Sequence, residues 1–369
     1  MLGGRARYTL RMKRTERDAP ADAAPAARPR GSSAPALVAM LASGEEGSGS
    51  SLAASLGVTR AAVWKQIEQL RALGLPVQAV AGRGYRLEAP VELLDANAIE
   101  SAIAREQRAA VGTIDVHWQI DSTSSELARI AAASSETARA CLAEIQTQGR
   151  GRRGRTWRMP LGGGIALSQL RRFDVGMAAL AGLSLVAGVA VMRALRDAGV
   201  AGAALKWPND IVANGRKLGG ILVELGGDAL GPCHAIVGIG LNVAIGAGEG
   251  AAIDQPWTDL AALTNARPPS RNRLAGFVLS RLAEALDAFA ADGFDAFANE
   301  YAAHDALCGR EIVVAGGRET WHGTASGVTS RGALRVMRDG VETAVDSGEV
   351  SVRNAAHVSR NAFAEVSSR

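Results

Sequence analysis

Apolar residues Val63, Ile67 and Leu70 recur at the i, i+4, i+7 spacing of one helix face. Thr59 stands where that helix needs a cap, and Gly74 where it must end. Upstream, Ala34 to Ala42 is a short apolar run stopped by Ser43-Gly44, and Ser50-Ser51 can cap a second helix that Gly57 breaks after Leu56. Downstream, Val77 and Val80 lead into Gly82-Arg83-Gly84, with Tyr85 and Leu87 beyond: a small hairpin. Helix, turn, helix and wing predict a winged helix-turn-helix over residues 35–90.

After a linker at Glu88 to Asp95, strand-like and helix-like stretches alternate over a central region, 95–300. Ile114 to Ile120 reads as a strand and Glu126 to Ala133 as a helix. The uncharged run Val175 to Met192 has 18 residues, the lower edge of membrane-spanning length. It is mostly Gly, Ala and Val with Ser184 inside, so it predicts a helix buried against a sheet. Asn272 to Phe297 predicts another helix, with Leu274, Phe277, Val278, Leu282 and Leu286 on its buried face. From Cys308 the chain turns to short alternating runs (Ile312 to Val314, Thr320 to Thr324, Ala333 to Val336, Val350 to Val352) punctuated by Gly316-Gly317, Arg331-Gly332 and Asp339-Gly340. These predict five short strands in about 50 residues, a small SH3-like barrel over 305–355. The expected fold class is α+β, flanked by tails at 1–34 (disordered) and 356–369.

Composition narrows the class. Of 369 residues 47% are apolar and 21% charged, as in a globular protein. The net charge of +4 misleads, because residues 1–34 carry +5 and the remainder sums to −1. Nucleic-acid binding by the body therefore needs a local basic patch. Cys141, Cys233 and Cys308 lie far apart without metal spacing, which suits a reducing cytoplasm. The five histidines show no ligand spacing, so a metal cage built by the protein is not expected. With no secretory leader and no membrane span, the expected location is cytoplasmic.

The chemistry concentrates in a few stretches. Gln146 to Trp157 threads arginines through glycines, suiting a mobile loop that closes over an anion, a solvated basic loop or a nucleic-acid patch. Asp121-Ser122-Thr123-Ser124-Ser125 opens a helix, as an anion site or an ordinary cap. Lys206-Trp207-Pro208-Asn209-Asp210 reads as an extended segment closing on Pro. Arg216-Lys217-Leu218-Gly219-Gly220 is a turn feeding a strand, and Gly238-Ile239-Gly240-Leu241-Asn242 is a strand with close backbone approach. On the third N-terminal helix, Arg60, Trp64, Lys65 and Arg71 face outward, with Arg83 at the wing tip, as DNA contacts. Trp64 alternatively packs against the wing.

In this order the motifs resemble the biotin–protein ligase family, in its bifunctional bacterial form with an N-terminal winged helix that represses the biotin operon. The resemblance covers about 35–355. It implies a central mixed-sheet biotin/lipoyl-ligase domain that activates biotin with ATP to biotinyl-5′-AMP. Biotin then passes to a lysine of a carboxylase biotin carrier domain, the activity of a biotin–[acetyl-CoA-carboxylase] ligase. By the same resemblance Arg152, Lys217 and Asp210 are catalytic. Ser122, Thr123, Ser124, Gln146, Arg150, Gly151, Arg152, Lys217 and Gly220 line the biotin pocket. Trp157, Lys206, Asn209 and Asn242 bind the nucleotide, with Mg2+ accompanying ATP near Asp210. Lys206 is equally a salt-bridged scaffold lysine. Operator DNA and a homodimer formed on adenylate binding are the further implied partners.

Departures are Ser124, where Asn is common, Thr147-Gln148, and Gly162-Gly163-Gly164, where Gly-x-Asn is frequent. A catalytically inactive biotin-sensing transcription factor, or a lipoate ligase of the same fold, remain alternatives. The joint presence of Lys217, Arg152 and Asp210 favours the first reading over the sensor.

Overall fold

The computed structural model describes residues 34–42, 47–246, 255–316, 319–346 and 350–354. The expected tails, but for Ala34, and the Ser43-Gly44 helix stop lie outside these residues.

Helices α1 (Ala34–Ala42), α2 (Gly49–Leu56) and α3 (Arg60–Ala72), with the antiparallel hairpin β1 (Val77–Val80) and β2 (Gly84–Leu87), form the winged helix-turn-helix. Ser48, rather than Ser50 or Ser51, caps α2, its hydroxyl accepting from the Ser51 N–H at 3.0 Å. Its backbone is still extended, as a cap requires, whereas Ser50 and Ser51 are already helical. Thr59 caps α3 by accepting from Ala62 N–H, and Gly74 at φ 87° ends it. Leu37, Val38, Leu41, Val63, Ile67 and Leu70 form the small core, which Leu161 from the central region completes. The Leu161 N–H also donates to the Leu73 carbonyl at the end of α3.

The central region contains α4 (Ala96–Ser101), α5 (Arg108–Val111), β3 (Thr113–Ile120), α6 (Thr123–Ala133), β4 (Ala138–Gln146), β5 (Gly164–Phe173), α7 (Leu183–Asp197), β6 (Ala203–Lys206), β7 (Asp210–Ala213), β8 (Arg216–Gly227) and β9 (Cys233–Asn242). Then follow α8 (Leu260–Leu263), α9 (Arg271–Asp292) and α10 (Ala298–His304). The seven strands run β3-β4-β5-β9-β8-β7-β6, parallel between β3 and β4 and antiparallel elsewhere. One face is sealed by α7 and α9 in a large apolar core. On the other, α6 seats Leu127 and Ala131 over Cys141, Leu170 and Ile236.

The uncharged run becomes helical only at Leu183, after a short 3-10 turn and Gly182 at φ 86°. Among the described residues no helix is long and apolar enough to cross a membrane. The helix expected to reach Phe297 stops at Asp292, because Gly293 takes φ 68°, and a separate turn covers Phe294–Phe297.

The C-terminal module has β10 (Glu311–Gly316), β11 (Glu319–Val328), β12 (Leu334–Arg338), β13 (Val341–Val345) and β14 (Val350–Asn354). They form one antiparallel sheet in the order β13-β12-β11-β10-β14, with β13 and β14 at its two ends.

Candidate active site

A cluster of glycines opens a floor on the α6 side of the sheet. Cross-strand register puts Gly220 opposite Gly240, Gly240 opposite Ala166, and Gly238 opposite Ser168, so their positions share a face. The missing side chains leave room: a Cβ on Gly240 would collide with the Trp157 ring, and one on Gly220 would come within 3.3 Å of Lys217 Cε.

Lys217 reaches this floor through an irregularity. Asp210 pairs with Gly220 and Ile211 with Gly219, but Val212 pairs with Lys217, leaving Leu218 as the extra residue of a β-bulge. A regular register would set Leu218 beside Val212 and turn Lys217 to the opposite face. Instead Lys217 Nζ lies 2.6 Å from Asp210 Oδ1 and 5.9 Å from the Trp157 ring centroid. The backbone of Lys217 is clamped on both sides, its N–H donating to Pro256 and its carbonyl accepting from Thr258.

The Lys206–Asp210 stretch is a hairpin, not the expected extended segment: Lys206 pairs with Asp210 across a tight turn containing a cis Trp207–Pro208 bond. Trp207 is buried and donates through Nε1 to the Gly332 carbonyl of the C-terminal module at 3.0 Å. Asn209 Nδ2 donates to the Ile221 carbonyl, leaving its Oδ1 to accept from Arg152 Nη1 at 3.2 Å. Lys206 is half-buried beside this hairpin.

The Arg/Gly loop folds back on itself. Trp157 N–H donates to Gly149 and Gly151 N–H to Arg155, while Arg150 pairs with Glu224 at 2.8 Å. Arg153 takes φ 58° within the turn. Burial, and then the charge of Arg153, pull the Arg152 guanidinium below its ordinary value, against the opposing pull of Asp210. The Trp157 Nε1 is buried and has no hydrogen-bond acceptor among the described residues.

At the start of α6 the polar residues form a connected cluster. Gln146 Oε1 accepts from the Thr123 N–H at 2.9 Å and from its hydroxyl at 3.2 Å. Thr123 and Ser124 hydroxyls both bond Ser168 Oγ, at 2.8 and 2.9 Å. Ser122 occupies the cap position without its side chain bonding a helix amide, which departs from the ordinary cap. Hydrogen bonds from Arg129, foremost, hold the Asp121 carboxyl down at about 2.

Asn242 is 4% exposed and its Nδ2 donates to the carbonyls of Thr258, at 3.0 Å, and Lys217, at 3.5 Å. It thus fixes the lysine's backbone. Ser168 and the Pro256–Thr258 segment were not foreseen. A serine and a glutamine inside the apolar run of β5 were the available signal for Ser168; nothing local marks the segment. Among the described residues no three His, Cys, Asp or Glu side chains converge as a metal cage.

The recognition face departs from expectation at one residue. Arg60 and Lys65 are exposed and Trp64 is 58% exposed, so Trp64 does not pack beneath the wing. Arg71 turns inward: Nε donates to the Val77 carbonyl at 2.8 Å and Nη1 to Glu68 at 2.6 Å. A guanidinium that ties α3 to the wing is not presented to a groove. Arg83 is exposed at the wing tip.

Three profiles match the chain in sequence order: an HTH domain over residues 36–86, the biotin/lipoate A/B protein ligase family over 116–242, and the biotin protein ligase C-terminal domain over 307–353. The bifunctional ligase/repressor BirA of Salmonella typhimurium is 38% identical over 86% of this chain and 97% of its own length. BirA of Escherichia coli is 37% identical over the same shares. Among solved structures, a biotin protein ligase from Aquifex aeolicus in complex with biotin and ATP is 28% identical, covering 66% of this chain and 99% of its own, at a TM-score of 0.55.

Proposed function

We infer the function of this chain from the family to which it belongs, that of the bifunctional biotin ligase/repressors. It activates biotin with ATP and represses transcription through its winged helix. The acceptor is a lysine of a carboxylase carrier domain, the location is cytoplasmic, and a homodimer forms once the adenylate is bound. We read the C-terminal sheet as an SH3-like module that braces the nucleotide side through the Trp207–Gly332 bond.

The observation that carries the site assignment is that Lys217 and Trp157 lie over the glycines, with Asp210 paired to Lys217 and the adjoining Asn209 bonded by Arg152. The neutral ureido head of biotin needs directional partners once buried, which the Ser122, Thr123 and Gln146 groups offer. Its carboxylate must approach a polyphosphate, an encounter of like charges that Lys217 and Arg152 offset. A carboxylate oxygen bonds to the α-phosphorus, the Pα–O–Pβ bond breaks, and pyrophosphate departs. In the second step a neutral lysine amine attacks the acyl carbon, the bond from that carbon to the bridging oxygen breaks, AMP leaves with the electron pair, and the amine sheds a proton to water. Asp210 keeps Lys217 aimed during the first step and steers the incoming amine during the second.

Asp210 is one carboxylate already paired with a lysine, and Asn209 Oδ1 is a neutral oxygen on the adjoining residue. Asp210 and Asn209 would hold a Mg2+ that accompanies ATP, one or two protein oxygens being what that ion takes at nucleotide sites. That ion, when bound, offsets triphosphate charge. The indole N–H of Trp157, buried without an acceptor among the described residues, suits a ligand oxygen.

The test is pyrophosphate–ATP exchange with biotin, with lipoate and with no acid. Exchange driven by biotin supports the reading. Exchange driven by lipoate alone overturns the substrate, and tight biotin binding without exchange leaves a sensor.

A further inference from the structure

One buried guanidinium holds both feet of the ligand loop. The loop leaves β4 at Gln146 and rejoins the sheet at Gly164, the first residue of β5. Arg271, at the start of α9 and 4% exposed, donates to the Gly164 carbonyl from Nε at 2.9 Å and Nη2 at 2.7 Å. It also pairs with Glu144, two residues before Gln146, at 2.9 Å, the two side chains being 5% and 3% exposed. Its remaining arm donates to the Glu92 carbonyl in the linker from the winged helix, and Glu144 accepts from the Leu94 N–H in the same linker. The exit foot is tied onward, since the Gly163 carbonyl accepts from Val243 and Ala244, just beyond Asn242.

Burying an ion pair gains little over an apolar pair of like volume, so simple stability does not account for this arrangement. What it provides is geometry: a planar fork that satisfies two separate backbone segments and a carboxylate at once, which an ammonium cannot reproduce. We propose that Arg271 is a positioning residue for the activation reaction, acting through Glu144 and Gly164 to keep the Arg/Gly loop closed over the acyl-adenylate. It touches no substrate. Its effect is therefore on retention of the intermediate more than on the chemistry that makes it. The proposal rests on the ligase reading for its substrate, but the loop's closure is measurable without it.

The experiment pairs Arg271→Lys with Glu144→Gln in the full-length protein. Arginines inside the loop make trypsin cleavage between residues 150 and 158 a direct report of loop opening, independent of any ligand. For folded Arg271→Lys we expect cleavage there, and release of preformed biotinyl-adenylate, each to quicken about tenfold, with the exchange rate falling distinctly less. Glu144→Gln keeps its shape and accepting oxygen, so it should move both readouts the same way by a smaller factor; it carries the test if Arg271→Lys does not fold. Unchanged cleavage and retention in a folded variant overturn the proposal. So does a loss of exchange in proportion to retention, which marks a general packing role. If the wild type shows no biotin-dependent exchange, the ligase reading fails while the cleavage arm still decides this one.

Discussion

Asp210 Oδ1 and Lys217 Nζ stand 2.6 Å apart because a single extra residue, Leu218, turns the lysine to the carboxylate's face of the sheet. The ammonium is thereby aimed at the glycine floor by its own counter-ion. Removing it takes away a cation directed at developing charge, so Lys217→Ala should lower adenylate formation by about 10²–10³-fold or more. Exchange kinetics with biotin check this, and thermal denaturation should show the fold retained. Adenylate formation within a few-fold of wild type would remove Lys217 from the chemistry.

Arg152 is half-buried and donates to Asn209 Oδ1 at 3.2 Å, which sets its guanidinium against the residue next to Asp210. Replacing it with glycine removes the grip while leaving Lys217 in place. Arg152→Gly should form adenylate more slowly and release what it forms, and bystander lysines on added albumin should become biotinylated. Adenylate bound as tightly as before would break the assignment of this loop as the lid.

Gly240 and Trp157 are packed so closely that no side chain fits between them. Gly240→Ala must lift the indole from the floor, and the strand-borne backbone cannot yield. The expected result is a weakening of ATP affinity by about tenfold or more, with thermal stability lowered by about 1–3 kcal/mol. Calorimetric titration and denaturation measure the two, and unaltered affinity would separate Trp157 from the ligand.

How much of this was legible in the sequence depended on whether the signal was local. Period and punctuation located the helices of the winged domain, since Thr59 and Gly74 act within one turn of their own positions. The Arg/Gly loop and the lysine motifs were visible as words. Their meeting was not, because Lys217 reaches Asp210 only through a bulge set by long-range strand register. The Lys206–Asp210 stretch, where Pro at 208 suggests extension, is a hairpin in which Lys206 pairs with Asp210, because the pairing of β6 with β7 is settled by their neighbours in the sheet. Arg271, Glu144 and Gly164 are over 100 residues apart at the extremes, and nothing in the neighbourhood of any one names the others.

The Asp121 carboxyl gives a pH signature. Bonded by Arg129 and the Ser122 N–H, it titrates at about 2 in the folded chain, below the ordinary carboxylate value of about 3.9. A depressed folded value means stabilisation that is complete above about pH 4 and vanishes as pH falls through about 2. With 34% of the side chain exposed, solvent screening keeps it under about 1 kcal/mol. Asp121→Asn should therefore be slightly less stable than wild type at pH 7, and the gap should close on acidification to about pH 2. A gap that stays constant with pH would locate the effect in packing.

The recognition face separates three kinds of contribution to DNA binding. Arg60 and Lys65 are exposed charges on α3, so replacing either with alanine should weaken binding to any duplex and reduce the salt slope by about one. Trp64 is exposed yet uncharged, so Trp64→Ala should lower affinity for the operator while leaving that slope unaltered. Arg71→Ala should behave differently again. Its guanidinium fastens α3 to the Val77 carbonyl, and its loss should lower the melting temperature of the winged domain before it changes affinity. Fluorescence anisotropy over a range of salt concentrations, on duplexes selected from a random pool, distinguishes these outcomes. A salt slope that falls in Arg71→Ala but not in Arg60→Ala would mean that the helix meets DNA through its far end, with Arg71 swinging out to a phosphate and the wing released.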